Sequence, residues 1–156
     1  MDASAPRILK AADGVAMGDP AGVRDRFMVD GADAGGRFAL VQHLFPPRAL
    51  AAPLHRHHRE DEYTYVLYGR IGAVLGDDEV VAEPGDLVFK PRDQWHTFWN
   101  AGDEPAAVLE LISPRGAGAV LPLAGRAHGT ADGRTARRDG RAVRVRRRPG
   151  RDAAHR

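Results

Sequence analysis

Three histidines and one glutamate stand at spacings that suit metal binding. His55 and His57 are two residues apart, so on a β-strand both imidazoles project from the same face. Glu62 begins the next apolar run, and His96 lies in a later run rich in aromatic residues. Three imidazoles and one carboxylate that converge would suit one divalent transition metal (Fe, Mn, Ni, Cu or Zn), with positions left for water or substrate. Glu62, the ligand with basic character, is also the candidate catalytic residue.

Residues near these candidates allow more than one interpretation. Phe98 shares strand parity with His96 and is a candidate for the substrate pocket, although aromatic residues in small β-domains usually pack in the core. Gln42 and His43 are adjacent on an earlier strand, so only one of them can face inward. We assign Gln42 to the pocket. Glu110 is expected either on an exposed face or just behind the metal ligands.

The charged residues after the histidine pair are typical of a surface turn. His58 has the opposite parity to His57, so we expect it at the surface. Glu60 and Asp61 are expected in a solvated acidic turn rather than on the metal, where either could pair with Arg59 or with a cationic substrate.

The elements that must hold these residues are short strands. Between about residues 37 and 114, apolar runs are separated by Gly, Pro and Asp at close intervals, which predicts an all-β fold, either a sandwich or a barrel. The predicted strands are 37–45, 62–68, 71–75, 79–82, 86–90, 95–99 and 106–112. Segments 7–11 and 23–29, within an N-terminal arm of residues 1–36, are expected to add edge strands.

The charge of the chain is divided unevenly along its 156 residues. Residues 1–114 carry nine Arg and two Lys against eighteen Asp and Glu, whereas residues 115–156 carry twelve Arg against three Asp. The first segment is acidic, and the second is rich in Arg, Gly and Ala with few large apolar residues, so we expect residues 115–156 to be mostly disordered. Specific nucleic-acid binding is not expected, because no recognition motif accompanies the arginines.

Several functional classes are excluded by composition. The chain contains no cysteine, so it has no disulfide scaffold, thiolate metal site or cysteine nucleophile. No apolar run reaches the length of a signal peptide or of a membrane-spanning helix, and we expect a cytoplasmic protein that does not associate with membranes.

Two spaced motifs resemble those of the cupin superfamily. The first family motif is Gly, five residues, His-x-His, three or four residues, Glu, six residues and Gly; it is matched here by His55, His57, Glu62 and Gly69, with Ala49 at the leading glycine position. The second is Gly, five residues, Pro-x-Gly, two residues, His, three residues and Asn; it is matched by Gly85, Pro91, His96 and Asn100, with Asp93 replacing the second glycine. Because Asp tolerates left-handed backbone geometry, the turn at position 93 is expected to survive.

The resemblance covers about residues 35–114 and implies a single antiparallel β-barrel of jelly-roll type. In that family the residues equivalent to His55, His57, Glu62 and His96 bind one metal ion, and the barrels often form homodimers. A small-molecule ligand or substrate is the implied partner.

The resemblance leaves the chemistry open, because this fold hosts many reactions. The favoured hypothesis is a metal-dependent dioxygenase, an oxidoreductase that acts on a small aromatic or enolic compound. The alternatives are a non-catalytic small-molecule binding module and a metal-assisted isomerase or epimerase, which needs a general base. The position of Lys90 distinguishes the two enzyme hypotheses. A position at the rim favours the oxygenase, and a position inside the barrel favours the isomerase.

Overall fold

The computed structural model describes residues 6, 8–19 and 21–115, and all regular elements in this part of the chain are β-strands. In chain order they are β1 (Val15–Gly18), β2 (Arg24–Val29), β3 (Ala39–Phe45), β4 (Asp61–Tyr68), β5 (Ile71–Leu75), β6 (Asp78–Ala82), β7 (Leu87–Lys90), β8 (His96–Asn100) and β9 (Ala106–Ser113). The prediction of an all-β fold is confirmed.

Two antiparallel sheets form a barrel. The larger sheet has the strand order β1-β2-β3-β9-β4-β7, and the smaller one has the order β6-β5-β8. The segment between β3 and β4 joins the smaller sheet through backbone bridges that pair Leu50 with Trp99 and His55 with His96. Strands distant in sequence, such as β3 and β9, are therefore neighbours in the larger sheet.

The core lies between the inner faces of the two sheets. Along β3 the burial alternates residue by residue, so Val41, His43 and Phe45 face inward. Val66, Val108 and other small branched residues complete the apolar part of the interior. Full burial of one such side chain contributes about 1.5–3 kcal/mol, so this layer holds the strands that carry the polar site.

The predicted N-terminal strand at residues 7–11 is wrong. Residues 8–11 form a loop and a turn, Arg7 lies outside the described residues, and the first strand begins at Val15. The guanidinium of Arg26 donates hydrogen bonds to the carbonyls of Lys10, Ala11 and Asp13, which holds this segment as a loop. Ile8 is 87% exposed, so an apolar residue at this position does not indicate a buried strand.

Arg115 is the one residue of the predicted C-terminal tail that the structure describes. Arg115 is only 4% exposed, and its backbone N–H donates to the carbonyl of Gly36 at 3.0 Å, so this residue packs on the barrel. The rest of the predicted tail, 116–156, lies outside the described residues. Among the described residues, no helix is long and apolar enough to cross a membrane.

Gly69, in the turn between β4 and β5, is expected to be highly sensitive to a methyl group. Its φ of 82° is left-handed, and a Cβ at this position would collide with Ala106. Gly85 has a similar φ of 92°, but a Cβ there would meet nothing within 4 Å. We expect Gly85→Ala to cost about 1 kcal/mol of unfolding free energy from backbone strain, and Gly69→Ala to cost a further ~1–3 kcal/mol from overpacking. Urea denaturation of both variants measures this, and equal losses would contradict the packing argument.

Candidate metal centre

Backbone pairing holds the candidate ligands from both sheets at one end of the barrel. His55 and His96 exchange two backbone hydrogen bonds, of 3.0 and 2.8 Å, which ties the segment before β4 to the start of β8. The carbonyl of His57 accepts a 2.7 Å hydrogen bond from the backbone N–H of Asp93. Asp93 has a φ of 65°, as expected for a residue that replaces glycine in this turn. Glu62 comes from the larger sheet, near the start of β4.

The structure brings the four candidate ligands together. One ligand atom from each of His55, His57, Glu62 and His96 lies within 4.8 Å of every other. Glu62 and His96 are buried, at 3% and 1% exposed, whereas the other two histidines are half-buried. The cluster therefore has a dry inner side and a side open to solvent, as a site that admits small molecules requires.

The hydrogen bonds of two imidazoles, those of His55 and His96, leave a ring nitrogen free to bind a metal. Nδ1 of His55 lies 2.7 Å from the carbonyl of Pro53, and Nδ1 of His96 lies 3.0 Å from the carbonyl of Gln94. Because a carbonyl accepts only, each Nδ1 donates, which leaves Nε2 of the neutral ring as a lone-pair donor to a metal. Nε2 of His96 is buried and has no hydrogen-bond partner among the described residues, although Glu62 Oε2 lies 3.1 Å away. A buried nitrogen left in this state is costly unless a ligand takes its lone pair.

The charges at the cluster also favour a cation. Burial raises the pKa of Glu62, but the Lys90 ammonium and a 2.9 Å hydrogen bond from His57 outweigh it and hold that pKa well below its usual range. Burial lowers the pKa of His55, which keeps this imidazole neutral at pH 7. The pKa of His57 is raised, chiefly by its hydrogen bond to Glu62. The cluster thus offers an ionised carboxylate and a neutral imidazole at His55, and His57 would release the proton that it donates to Glu62 when a metal binds, which gives a donor set that suits divalent transition metals.

Comparison with known proteins agrees with this geometry. A family model described as the cupin domain matches residues 41–112, a range that contains all four candidate ligands. Residues 41–112 form a cupin domain.

Individual relatives are distant. This cupin is 28% identical over 89 residues to the tetracenomycin polyketide synthase protein TcmJ of Streptomyces glaucescens, a match that covers 57% of this chain and 60% of that protein. It is similar to the structure of KdgF from Halomonas sp. (TM-score 0.60, 22% identity, 70% of this chain and 95% of the other). It is also similar to a predicted oxalate decarboxylase from Thermotoga maritima (TM-score 0.64, 17% identity, 69% and 99%). The structural likenesses establish the fold alone.

Behind Glu62, the cupin barrel contains a chain of buried charged groups. Lys90 is 1% exposed, and its Nζ contacts Glu62 Oε2 at 2.7 Å and also Glu110 Oε1. Glu110 accepts a 2.7 Å hydrogen bond from the Thr64 hydroxyl and lies 2.9 Å from His43 Nε2. His43 Nδ1 in turn lies 2.7 Å from Asp25. These groups form a continuous ionic network from strand β2 to the candidate metal ligand.

The structure decides the position of Lys90, which the sequence left open, and corrects the assignment of Gln42. Lys90 lies inside the barrel rather than at its rim, because it is directly opposite Glu62 in the β4–β7 register. Gln42 faces away from the cluster, and its side-chain oxygen accepts a 2.9 Å hydrogen bond from Arg26, so the assignment of Gln42 to the pocket is wrong. His43 takes the inward position instead. Parity showed that only one of these neighbours could face inward, but no local signal identified which.

The aromatic candidate lies in the interior. Phe98 is buried, with its ring 4.1 Å from Lys90 Nζ and in edge contact with the rings of His43 and Phe45. It therefore lines the apolar wall beside the ionic network.

The charged turn before β4 is more ordered than expected. His58 is exposed, as predicted, and contacts Asp93 at 2.7 Å. Asp61 binds the backbone N–H and the guanidinium of Arg92, rather than Arg59. Glu60 lies between His57 Nδ1, at 4.0 Å, and the buried guanidinium of Arg115, at 3.7 Å.

His43 predicts a specific dependence of stability on pH. Burial lowers the pKa of His43, but hydrogen bonds with Asp25 on β2 and Glu110 on β9 outweigh it and raise the pKa to about 9. Because the folded pKa exceeds the unfolded value of 6.5, this stabilisation is present below pH 6.5 and is lost as the pH rises to about 9. We expect the wild type to lose about 3 kcal/mol more than His43→Gln over this range, measured by denaturant unfolding. Parallel pH profiles for the two proteins would contradict the assignment.

Proposed function

We propose that this cupin is a metal-dependent oxygenase that acts on a small enolic or aromatic compound. The observation that carries the proposal is the convergence of three imidazoles and one ionised carboxylate, with a buried His96 nitrogen that lacks a hydrogen-bond partner among the described residues. Four protein ligands leave positions for exogenous ligands around an ion that accepts six.

The protein's own residues would bind the metal, orient its ligands and exclude water from the buried side of the site. A divalent transition metal held by the four ligands would supply Lewis acidity and, where redox-active, electron transfer to O2. Glu62 remains ionised and contributes one negative charge, which the ammonium of Lys90 balances. Phe98 and Phe45 place apolar surface beside Lys90 and His43, the buried groups behind Glu62. A divalent ion would add positive charge to the site, and this charge favours an anionic oxygen ligand, such as an enolate.

The substrate class has separate support. One relative is named as a polyketide synthase protein, although the match spans only 60% of its length. Polyketide chains carry carbonyls at alternate carbons and therefore enolise readily, and they cyclise to aromatic products. Such compounds suit an apolar wall beside a metal that binds oxygen ligands.

The interior position of Lys90 favours an isomerase as the second candidate. An isomerase needs a general base near the metal, and Lys90 lies 2.7 Å from a metal-ligand oxygen. Two carboxylates hold its amine protonated, however, and its pKa is raised although burial lowers it. A protonated lysine donates a proton and does not abstract one, so the oxygenase remains the proposal.

Oxygen consumption by defined metal forms tests the proposal. The protein is loaded separately with Fe²⁺, Mn²⁺, Ni²⁺, Cu²⁺ or Zn²⁺ and mixed with 1,3-diketones and flavonols in an oxygen electrode. We expect O2 uptake coupled to substrate loss with at least one redox-active ion, and none with Zn²⁺, which has no redox chemistry. Substrate rearrangement without O2 uptake, at similar rates with Zn²⁺, would replace the oxygenase with the isomerase. Ligand binding without turnover under all conditions would indicate a binding module.

A further inference from the structure

We propose that Lys90 is a positioning residue. Its hydrogen bond occupies one carboxylate oxygen of Glu62, so that Glu62 binds a metal through its other oxygen alone. The inference rests on the proposed metal centre and adds to it the number of positions left for substrate.

The contacts of Glu62 distinguish its two oxygens. Oε1 lies 2.9 Å from Nε2 of His57, and Oε2 lies 3.1 Å from Nε2 of His96, so each oxygen faces one imidazole. Oε2 alone also contacts an ammonium, that of Lys90 at 2.7 Å. This charged hydrogen bond draws electron density from Oε2, which makes Oε2 a weaker metal ligand than Oε1.

Lys90 has little freedom to give up this contact. Its side chain is fully buried, and its Nζ is also bound to Glu110 and lies over the Phe98 ring. Glu110 is held in turn by Thr64 and His43. Withdrawal of Lys90 from Glu62 would leave a fully buried ammonium with one carboxylate instead of two, which is unfavourable in the interior.

The consequence concerns the chemistry of the substrate. Carboxylates bind metals through one oxygen or through two, and each mode leaves a different number of free positions. Three imidazoles and one oxygen leave two positions on a six-coordinate ion, whereas a second oxygen from Glu62 leaves one. Two free positions accept a chelating ligand with two nearby oxygens, such as the enolate of a 1,3-dicarbonyl or a hydroxyketone. Lys90 thereby selects chelating substrates.

The test compares Lys90→Met/Glu110→Gln with Glu110→Gln. The double variant removes the ammonium and one carboxylate together, so it keeps the net charge of the interior and avoids two unbalanced carboxylates. The single variant retains the contact between Lys90 and Glu62. Each protein is loaded with Co²⁺ and titrated with maltol, a two-oxygen chelator, and with azide, which occupies one position; absorption of the Co²⁺ ion reports binding.

We expect all three proteins to hold about one Co²⁺ per chain and to bind azide within about twofold of one another. The maltol dissociation constant should rise at least about tenfold in the double variant and stay near the wild-type value in Glu110→Gln, because only the double variant loses chelation. Unchanged maltol binding in the double variant, or an equal rise in Glu110→Gln, would overturn the role of Lys90. A wild type that holds no Co²⁺ would instead overturn the metal centre, and this proposal with it.

A measurement on the wild type avoids any dependence on variant folding. In a crystal structure of the Co²⁺-loaded protein, we expect Oε1 of Glu62 on the ion and Oε2 on Lys90. Both oxygens on the ion would overturn the proposal.

Discussion

Replacement of His96 by alanine is expected to lower the metal content from about one ion per chain to nearly none. His96 is the most deeply buried of the four candidate ligands, and its Nε2 has no hydrogen-bond partner among the described residues. Its loss removes one of three imidazoles and opens the dry side of the cluster. Elemental analysis of the purified variant, with circular dichroism to verify its fold, gives the result.

His58→Ala is the matched control for this experiment. His58 lies one residue from His57, but it is exposed and contacts Asp93 rather than the cluster. We expect His58→Ala to retain the wild-type metal content. Equal metal loss in the two variants would contradict the ligand assignment, because it would show that the protein holds metal at a diffuse histidine-rich surface.

Lys90→Met is expected to destabilise the barrel strongly. The change removes the ammonium that contacts Glu62 and Glu110 and leaves two carboxylates buried without their cation. Breaking a buried ion pair from one side costs about 3–5 kcal/mol. Denaturant unfolding of the metal-free protein should show a loss of this size at pH 7.

The added change Glu110→Gln should recover much of that loss. With both charges removed, the amide introduced by Glu110→Gln can still accept a hydrogen bond from Thr64, Glu62 loses its ammonium, and His43 loses one carboxylate but keeps Asp25. A double variant as unstable as Lys90→Met would mean that the lysine stabilises the barrel through packing and not through charge.

The candidate ligands could be predicted from the sequence because local rules constrain them. Strand parity paired His55 with His57 and separated His58, and the left-handed turn at Asp93 follows from the residue type at a fixed motif position. The strands between residues 37 and 114 were predicted to within about two residues, since Gly, Pro and Asp mark the turns that join them.

The ionic network could not be predicted, because parity does not state which face of a strand is buried. On β7, Leu87 and Phe89 face outward and are 59% and 47% exposed, whereas Val88 and Lys90 face inward. Hydrophobicity alone would choose the opposite orientation. Lys90 is stable in the interior only because Glu62 on β4 and Glu110 on β9 lie beside it. Their positions depend on the pairing of β4 with β7 and β9, which joins strands distant in sequence. The choice between Gln42 and His43 depends on the same kind of distant partner, Glu110.

We expect one metal ion to be held jointly by His55, His57, Glu62 and His96. The most direct test is anomalous diffraction, at the absorption edge of the bound metal, from crystals of wild-type protein purified without chelators. We expect one strong anomalous peak between the four side chains, at about 2.0–2.2 Å from a nitrogen of each imidazole and an oxygen of Glu62. A map with no peak between them, or with its main peak on exposed residues such as His58, would contradict it.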